Sequence, residues 1–172
     1  MEWTGARYAD KPTVEVRTWI GAPPSRVWEL VADVTRMPAM SSELQSVEWL
    51  GGATGPAAGA RFAASNRHEA LGEWESTSQV TEFEPEQVFG WAVGDPADPA
   101  ALWRFRLVQK DGGTELSEWV QLGPGRSGLS LAIERMPDKE QKIVFVRMRE
   151  FERNMTFTLD RLKALAEAPV DG

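Results

Sequence analysis

The stretch that decides the fold is DKEQKIVFVRMREFERNMTFTLDRLKALAE, residues 138–167. Its apolar positions recur every three or four residues, which predicts one amphipathic helix of roughly 27 to 30 residues. These positions are Val144, Met148, Phe151, Met155, Leu159, Leu162 and Ala166. We expect Pro169 to end the helix, and Asp138 with Gln141 to cap its start. Arg147 and Glu150 lie at the intervening positions, which form the polar face of the predicted helix.

The chain before this helix alternates between apolar and polar residues, which is typical of half-buried strands. Residues 13–20 form the first predicted strand. Six more follow at 45–50, 61–68, 73–83, 88–93, 103–109 and 115–122, with turn signals between them. Because short turns join consecutive strands, we expect an antiparallel sheet.

Two short helical segments are predicted between the first and second strands. Pro23 and Pro24 are accepted in a first helical turn, and Val27, Trp28 and Val31 follow at helical spacing. Met37-Pro38 interrupts this pattern, so a second short helix or turn carries the chain to Ser42.

Composition excludes several classes of site. The chain has 172 residues and a formal net charge of −7, which disfavours binding to nucleic acid or anionic membranes. It has no cysteine and one histidine, so disulfides, thiol nucleophiles and metal centres of several histidines are excluded. No signal peptide or membrane span is visible, and we expect a cytoplasmic protein with one domain at 1–172 and a core at about 12–167. The eight tryptophans could fill a core or line a cavity for a flat apolar ligand.

Several motifs in fixed order carry a resemblance to a known family. They are APPSRVWELVAD at 22–33, VEWL at 47–50, GARF at 59–62 with Asn66, WESTSQV at 74–80, FEP at 83–85, FGW at 89–91 and GGTEL at 112–116. The chain resembles the START-like SRPBCC superfamily, in its polyketide cyclase/dehydrase-like branch.

The resemblance implies the α+β helix-grip fold. In it, a curved seven-stranded antiparallel sheet wraps around a long C-terminal helix, and two short helices follow strand one. It also implies an internal cavity that binds or transforms apolar molecules such as polyketides, lipids or sterols. No metal or redox cofactor is expected, and related proteins are often monomers or homodimers.

Alternation along each strand predicts which side chains face such a cavity. The predicted ligand-binding residues on the strands are Phe62, Asn66, Trp74, Ser76, Ser78, Phe89, Trp91, Trp103 and Phe105. Phe151 and Met155 would close the opposite side from the helix. Arg104 and Arg106 should point outward. A β-bulge would reverse the inward or outward assignment of the residues beyond it. Asn66, Ser76 and Ser78 could also simply hydrogen-bond to one another.

His68 and Glu118 are the candidate catalytic residues, because both share this inward phase. A carboxyl facing an apolar cavity should have a raised pKa and could act as a general acid or base. A neutral imidazole could exchange protons with an enolisable ketone. Alternatively, His68 lies in water at a strand end, and Glu118 pairs with an arginine or points outward.

Two further features remain open from the sequence. Glu43 could contact a ligand or Arg61, although a solvated carboxylate at a helix end is the simpler interpretation. Residues 122–128 are rich in glycine but lack the context of a phosphate loop. We predict a mobile portal there that continues through the apolar residues 129–133, which could also form a dimer or partner surface.

Three functions are compatible with these patterns. The first is a polyketide cyclase or dehydratase, a lyase in which His68 or Glu118 moves protons. The second is a non-catalytic carrier or receptor for a hydrophobic metabolite, which the sparse acid–base residues favour. The third is an interaction module that engages another protein.

Overall fold

The computed structural model describes residues 1–169, so the last three positions of the predicted 1–172 domain lie outside the described residues. The strands are β1 (Thr13–Ile20), β2 (Leu44–Trp49), β3 (Arg61–His68), β4 (Gly72–Glu84), β5 (Val88–Asp95), β6 (Asp98–Lys110) and β7 (Gly113–Leu122). The α-helices are α1 (Pro24–Val31), α2 (Gly128–Arg135) and α3 (Glu140–Glu167). Short 3₁₀ segments lie at Tyr8–Asp10, Val34–Met40 and Pro137–Lys139.

The seven strands form one curved antiparallel sheet in the order β1-β7-β6-β5-β4-β3-β2. Strands β2 to β7 pair with their neighbours in sequence, as the short turns predicted. Strand β1 instead pairs with β7, so that Thr13 lies opposite Gln121 and Ile20 lies opposite Thr114. The predicted α+β helix-grip architecture is therefore confirmed.

Helix α3 has 28 residues, within the predicted length. The predicted cap by Asp138 is wrong, because Lys139 is the N-cap residue and makes no side-chain cap bond. Asp138 lies in the preceding 3₁₀ turn. The N-terminal segment holds the start of α3 instead: the Gln141 amide donates to Gly5 O at 2.7 Å, and the Tyr8 N–H donates to Glu140 at 3.1 Å.

Helix α3 packs on the sheet through two apolar clusters. The first cluster includes Leu159 and Leu162 of α3 with Leu116 of β7, and α1 packs into it. The second includes Val144, Met148, Phe151 and Met155 of α3 with Val120 of β7. Val16, Val93 and Trp103 contact both clusters, so they mark the junction between them.

The predicted loop through residues 129–133 after β7 is wrong in its secondary structure, while the mobility predicted for this segment stays a prediction. The N–H groups of Gly123 and Gly125 donate to the carbonyls of Ala100 and Pro99, both at 2.7 Å. Residues 128–135 form α2 rather than a loop, and Leu129 is buried in the second cluster while Leu131 is exposed. The serine and glycine residues between the apolar positions concealed this helix from the sequence pattern.

No helix within residues 1–169 is both long enough and apolar enough to cross a membrane.

Candidate functional site

The side chains predicted to line a ligand site lie on the inner face of the sheet and on α3 opposite it. Phe62, Ser78, Phe89, Trp91, Phe105, Phe151 and Met155 are buried, and Asn66, Trp74, Ser76 and Trp103 are half-buried. The register shifts between Val80 and Glu82, and Phe83 beyond this shift packs against the first cluster. Arg104 does point outward, where it lies over the Trp119 ring and pairs with Glu82.

The aromatic side chains of this face form a continuous row across the sheet. Ring centroids are 5.7 Å apart for Trp49 and Phe62, 6.1 Å for Phe62 and Trp91, and 5.2 Å for Trp103 and Phe151. Trp91 and Trp103 stack at 6.3 Å. Trp91 and Trp103 therefore pack in the core between the sheet and α3, while a ligand cavity lined by tryptophans stays a prediction. A surface pocket of about 470 Å³ lies outside this region, beside Met1 and Glu152.

Asn66 and Ser76 are already paired on this face. The Asn66 amide donates to the Ser76 hydroxyl at 3.3 Å across β3 and β4. This is the mutual hydrogen bonding that the sequence left open as an alternative to ligand contact. Both groups can still exchange that bond for one to a ligand, since neither is fully buried.

Glu118 is the unusual group of the inner face. Its position in β7 is opposite Val16 of β1 and Phe105 of β6, and only 6% of its surface is exposed. Its Oε2 atom has no hydrogen-bond partner among residues 1–169, and no ion pair in that range involves it. Burial raises the pKa of Glu118 to about 8, because the charged form loses its hydration. At neutral pH it is therefore mainly a protonated carboxyl group, able to donate one hydrogen bond.

His68 lies at the end of β3 and contacts α3. Its Nδ1 atom accepts hydrogen bonds from the N–H groups of Ala70 and Leu71, at 3.0 and 3.1 Å. An Nδ1 that accepts two N–H bonds carries no proton, so the proton of the neutral ring is on Nε2. That atom is hydrogen-bonded to the Glu150 carboxylate. His68 is therefore neither free in water nor free to act on the interior.

Glu150 belongs to a group of polar residues that joins α3 to the β2–β3 edge. We call this group, comprising Glu43, His68, Arg147, Glu150 and Asn154, the rim cluster. Arg147 binds both carboxylate oxygens of Glu43 at 2.8 Å, and the Asn154 amide donates to Glu43 at 2.9 Å. The Arg147 guanidinium also lies 4.5 Å from the centre of the Phe151 ring. Glu43 is thus bound to α3 rather than to Arg61, and its side chain is mostly shielded from solvent.

The rim cluster could offer a cation one atom each from Glu43, His68 and Glu150, all within 4.8 Å of one another. The donor set fits a cation poorly. A metal at Nε2 of His68 would require the proton to move to Nδ1, which already accepts two N–H groups. Arg147 also supplies the positive charge that Glu43 needs. The cluster is better described as a hydrogen-bonded ion-pair network than as a metal centre.

The structure does not bring the two candidate catalytic residues together. Strands β6, β5 and β4 lie between β7, which carries Glu118, and β3, which carries His68. Sequence reasoning placed Arg147 on the polar face of α3, but it is buried. The available signal was spacing, because Arg147 precedes Phe151 by four residues and therefore shares its face.

Comparison with known families gives a match over residues 11–167, to the family described as "Polyketide cyclase / dehydrase and lipid transport". The chain belongs to this family. The match extends from just before β1 to the end of α3, so it includes Glu118 and the whole aromatic row. No curated protein matches the chain significantly.

Solved structures of similar fold agree with this assignment. A polyketide-cyclase-like protein of Corynebacterium glutamicum is 28% identical, with a TM-score of 0.65 over 90% of this chain and 91% of that one. The di-domain ARO/CYC StfQ from the steffimycin biosynthetic pathway is 11% identical, with a TM-score of 0.68 over 90% of this chain and 50% of that one. A Thermus thermophilus protein is 15% identical, with a TM-score of 0.62 over 91% of this chain and 100% of that one. The last two show likeness of fold alone.

Proposed function

We propose that the protein binds an apolar small molecule, polyketide-like or lipid-like, between the inner face of the sheet and α3. We further propose that Glu118 catalyses cyclisation or dehydration of that molecule. The observation that carries the proposal is the buried Glu118 carboxyl, whose Oε2 atom has no hydrogen-bond partner among residues 1–169, on a face built mainly of aromatic and aliphatic side chains. Membership of the polyketide cyclase / dehydrase and lipid transport family supports the ligand class.

No protein group among residues 1–169 offers Oε2 of Glu118 a hydrogen bond, so a partner for this atom would have to come from a bound ligand. A buried polar group without a partner destabilises a fold by about 1 to 3 kcal/mol. A ligand that accepts a hydrogen bond from the carboxyl would remove that penalty. Carboxyl groups with a raised pKa in apolar surroundings are typical of general acids.

A protonated Glu118 can carry out dehydration without a second titrating group. It donates its proton to a hydroxyl that leaves as water, and the bond from carbon to that oxygen breaks. The carboxylate then takes the proton from the neighbouring carbon, and a carbon–carbon double bond forms between the two carbons. The substrate loses one water molecule and Glu118 regains its acid form.

Ligand entry requires the aromatic row to rearrange, since its rings now occupy the interior. We propose that Trp103 moves, because its side chain is only half-buried, and its contacts with both apolar clusters would be lost in that movement. The proposal gives His68 no proton transfer, because its Nε2 atom is bonded to Glu150 and its Nδ1 atom to the chain.

Native mass spectrometry with a panel of linear and aromatic hydroxyketones tests the proposal. We expect a bound species, and a product lighter by one water that the Glu118→Gln variant does not form. Ser65→Ala, on the outward phase of β3, is the matched control and should behave as wild type. Bound ligand of unchanged mass in both proteins would leave binding intact and contradict catalysis.

Bound ligand of unchanged mass would instead support a non-catalytic carrier. One observation favours this alternative: His68, the other titratable candidate of the inner face, is already engaged with Glu150 and the backbone. A carrier needs only the apolar face and the hydrogen bond from Glu118.

A further inference from the structure

The solvent-facing side of α3 carries basic and apolar side chains together. Five exposed residues follow one another at intervals of three or four and therefore share one face of the helix. They are Lys142, Val146, Arg149, Arg153 and Phe157, and we call them the outer stripe. We infer that the outer stripe docks the protein on the surface of an anionic lipid bilayer. This inference does not depend on the proposed function.

The apolar residues of the outer stripe lie in solvent although α3 already buries its other side. Val146 and Phe157 are 47% and 50% exposed. The buried apolar positions of α3 lie on the opposite side of the helix. Next to the stripe, Trp3 is 55% exposed and packs against Phe145 with ring centroids 5.1 Å apart. Aromatic and aliphatic side chains between cations on one helix face are typical of helices that lie in a membrane interface.

The three cations of the outer stripe are not neutralised by the protein. No ion pair within residues 1–169 involves Lys142, Arg149 or Arg153. Glu150 and Glu152 lie on the flanks of the stripe, and each already pairs with a group outside it. The outer stripe therefore leaves three positive charges open to an external anion.

The local charge of the outer stripe is opposite to the net charge of −7. The stripe extends over about 22 Å, at the rise of an α-helix, and holds three cations and no carboxylate before Asp160 follows Phe157. At physiological ionic strength, exposed charges farther away than a Debye length of about 8 Å are largely screened. An anionic surface against this face therefore interacts mainly with the three cations. Composition alone disfavours such binding because it averages over the whole surface.

The mixture of side chains favours a bilayer over an acidic protein. A bilayer presents phosphate groups beside an apolar interior, which matches a stripe that alternates cations with apolar side chains. The surface pocket of about 470 Å³ lies along the stripe and is lined by Arg149, Arg153 and Thr156. Guanidinium groups bind phosphate oxygens in bidentate fashion, so this pocket suits a lipid headgroup. An acidic polypeptide would satisfy the cations and leave Val146 and Phe157 without an apolar partner.

Cosedimentation with sucrose-loaded vesicles tests the inference. At about 0.05 M salt, we expect the protein to bind vesicles of phosphatidylcholine with about 30% phosphatidylglycerol at least about tenfold more strongly than vesicles of phosphatidylcholine alone. Binding should fall at least about tenfold when the salt is raised to about 0.5 M, because the cations are then screened.

Variants of the outer stripe separate its charges from its apolar residues. Arg149→Glu with Arg153→Glu should weaken vesicle binding at least about twentyfold, since each cation near an anionic bilayer contributes about fivefold. Phe157→Ser should weaken it about fivefold and leave the salt dependence unchanged. The matched control is Arg61→Glu with Arg106→Glu, which changes the net charge equally at exposed strand residues and should bind within about twofold of wild type. Circular dichroism confirms that each variant is folded.

The contrary outcomes are distinct from failure of the proposed function. Equal binding to both kinds of vesicle would overturn the inference, and so would an equal loss of binding in the matched control. Binding to soluble polyglutamate without binding to anionic vesicles would also overturn it, because the outer stripe would then recognise an acidic polypeptide. None of these results concerns the interior between the sheet and α3, so the proposed ligand binding would remain in place.

Discussion

Arg147 of α3 and Glu43, just before β2, form a bidentate ion pair in which both nitrogen–oxygen distances are 2.8 Å. The side chains are 9% and 15% exposed, so water screens the pair weakly. The Asn154 amide and the Phe151 ring complete the surroundings of the two charges. This pair joins the N-terminal third of the long helix to the edge of the sheet.

Removing one partner of this pair should destabilise the protein strongly. We expect Arg147→Met to lower the free energy of unfolding by about 3 kcal/mol, because it leaves the Glu43 carboxylate poorly solvated and unpaired. Urea denaturation monitored by circular dichroism measures the change. The double variant Glu43→Gln with Arg147→Met should recover part of the loss, since no unpaired charge remains. Equal destabilisation in the single and double variants would contradict this account.

Stability should decrease with rising pH because of Glu118. Its pKa rises from 4.5 to about 8 on folding, so the folded state holds a proton that the unfolded state releases in this range. The contribution is fully present below about pH 4.5 and is lost as pH rises to about 8, by roughly 1.4 kcal/mol per pH unit at most. The difference in unfolding free energy between wild type and Glu118→Gln isolates it. A difference that is constant with pH would show that Glu118 is ionised when folded.

The single histidine makes its proton position directly measurable. Long-range proton–nitrogen NMR spectra should show His68 with a proton on Nε2 and none on Nδ1 near neutral pH. The reason is that Nδ1 accepts from both Ala70 and Leu71. Addition of Zn²⁺ should leave these signals unchanged, whereas a shift of the Nε2 signal at equimolar zinc would indicate a metal site in the rim cluster.

The loop after β7 should tolerate no side chain at Gly125. A Cβ atom there would lie 2.1 Å from the Asp98 carbonyl oxygen, so Gly125→Ala should lower the free energy of unfolding by about 2 kcal/mol or more. Gly128→Ala is the matched control, because a Cβ at Gly128 meets nothing within 4 Å. Thermal unfolding compares the two. Similar melting temperatures would contradict the close packing of this loop.

Much of the fold could be predicted because its signals are local. Strands β1 and β3 have the predicted bounds, since alternation in 13–20 and 61–68 is uninterrupted. Helix α2 was missed because Gly125 and Gly128 obscure its start, and its apolar residues are split between a buried Leu129 and an exposed Leu131. Local pattern decides which face a residue occupies, but not how far an element extends into a loop.

The candidate site was harder to predict because its decisive contacts are distant in sequence. Alternation placed Glu118 correctly on the inner face, yet no local pattern shows whether a buried carboxyl finds a partner. The same limitation applies to Glu43, whose partner Arg147 lies 104 residues away. Residue type and phase identify a group that could function, whereas the folded structure decides which groups remain available.

The pairing of β1 with β7 has a consequence for synthesis of the chain on the ribosome. At about 5 to 20 residues per second, β1 waits on the order of ten seconds before β7 has been made. Until then its backbone edge is unpaired, and Val16 has no Glu118 beside it. Pairings so distant in sequence also slow folding, into the millisecond-to-second range typical of such topologies. The strand that completes the inner face is thus made first and positioned last, so premature termination within β7 would release a chain prone to aggregation.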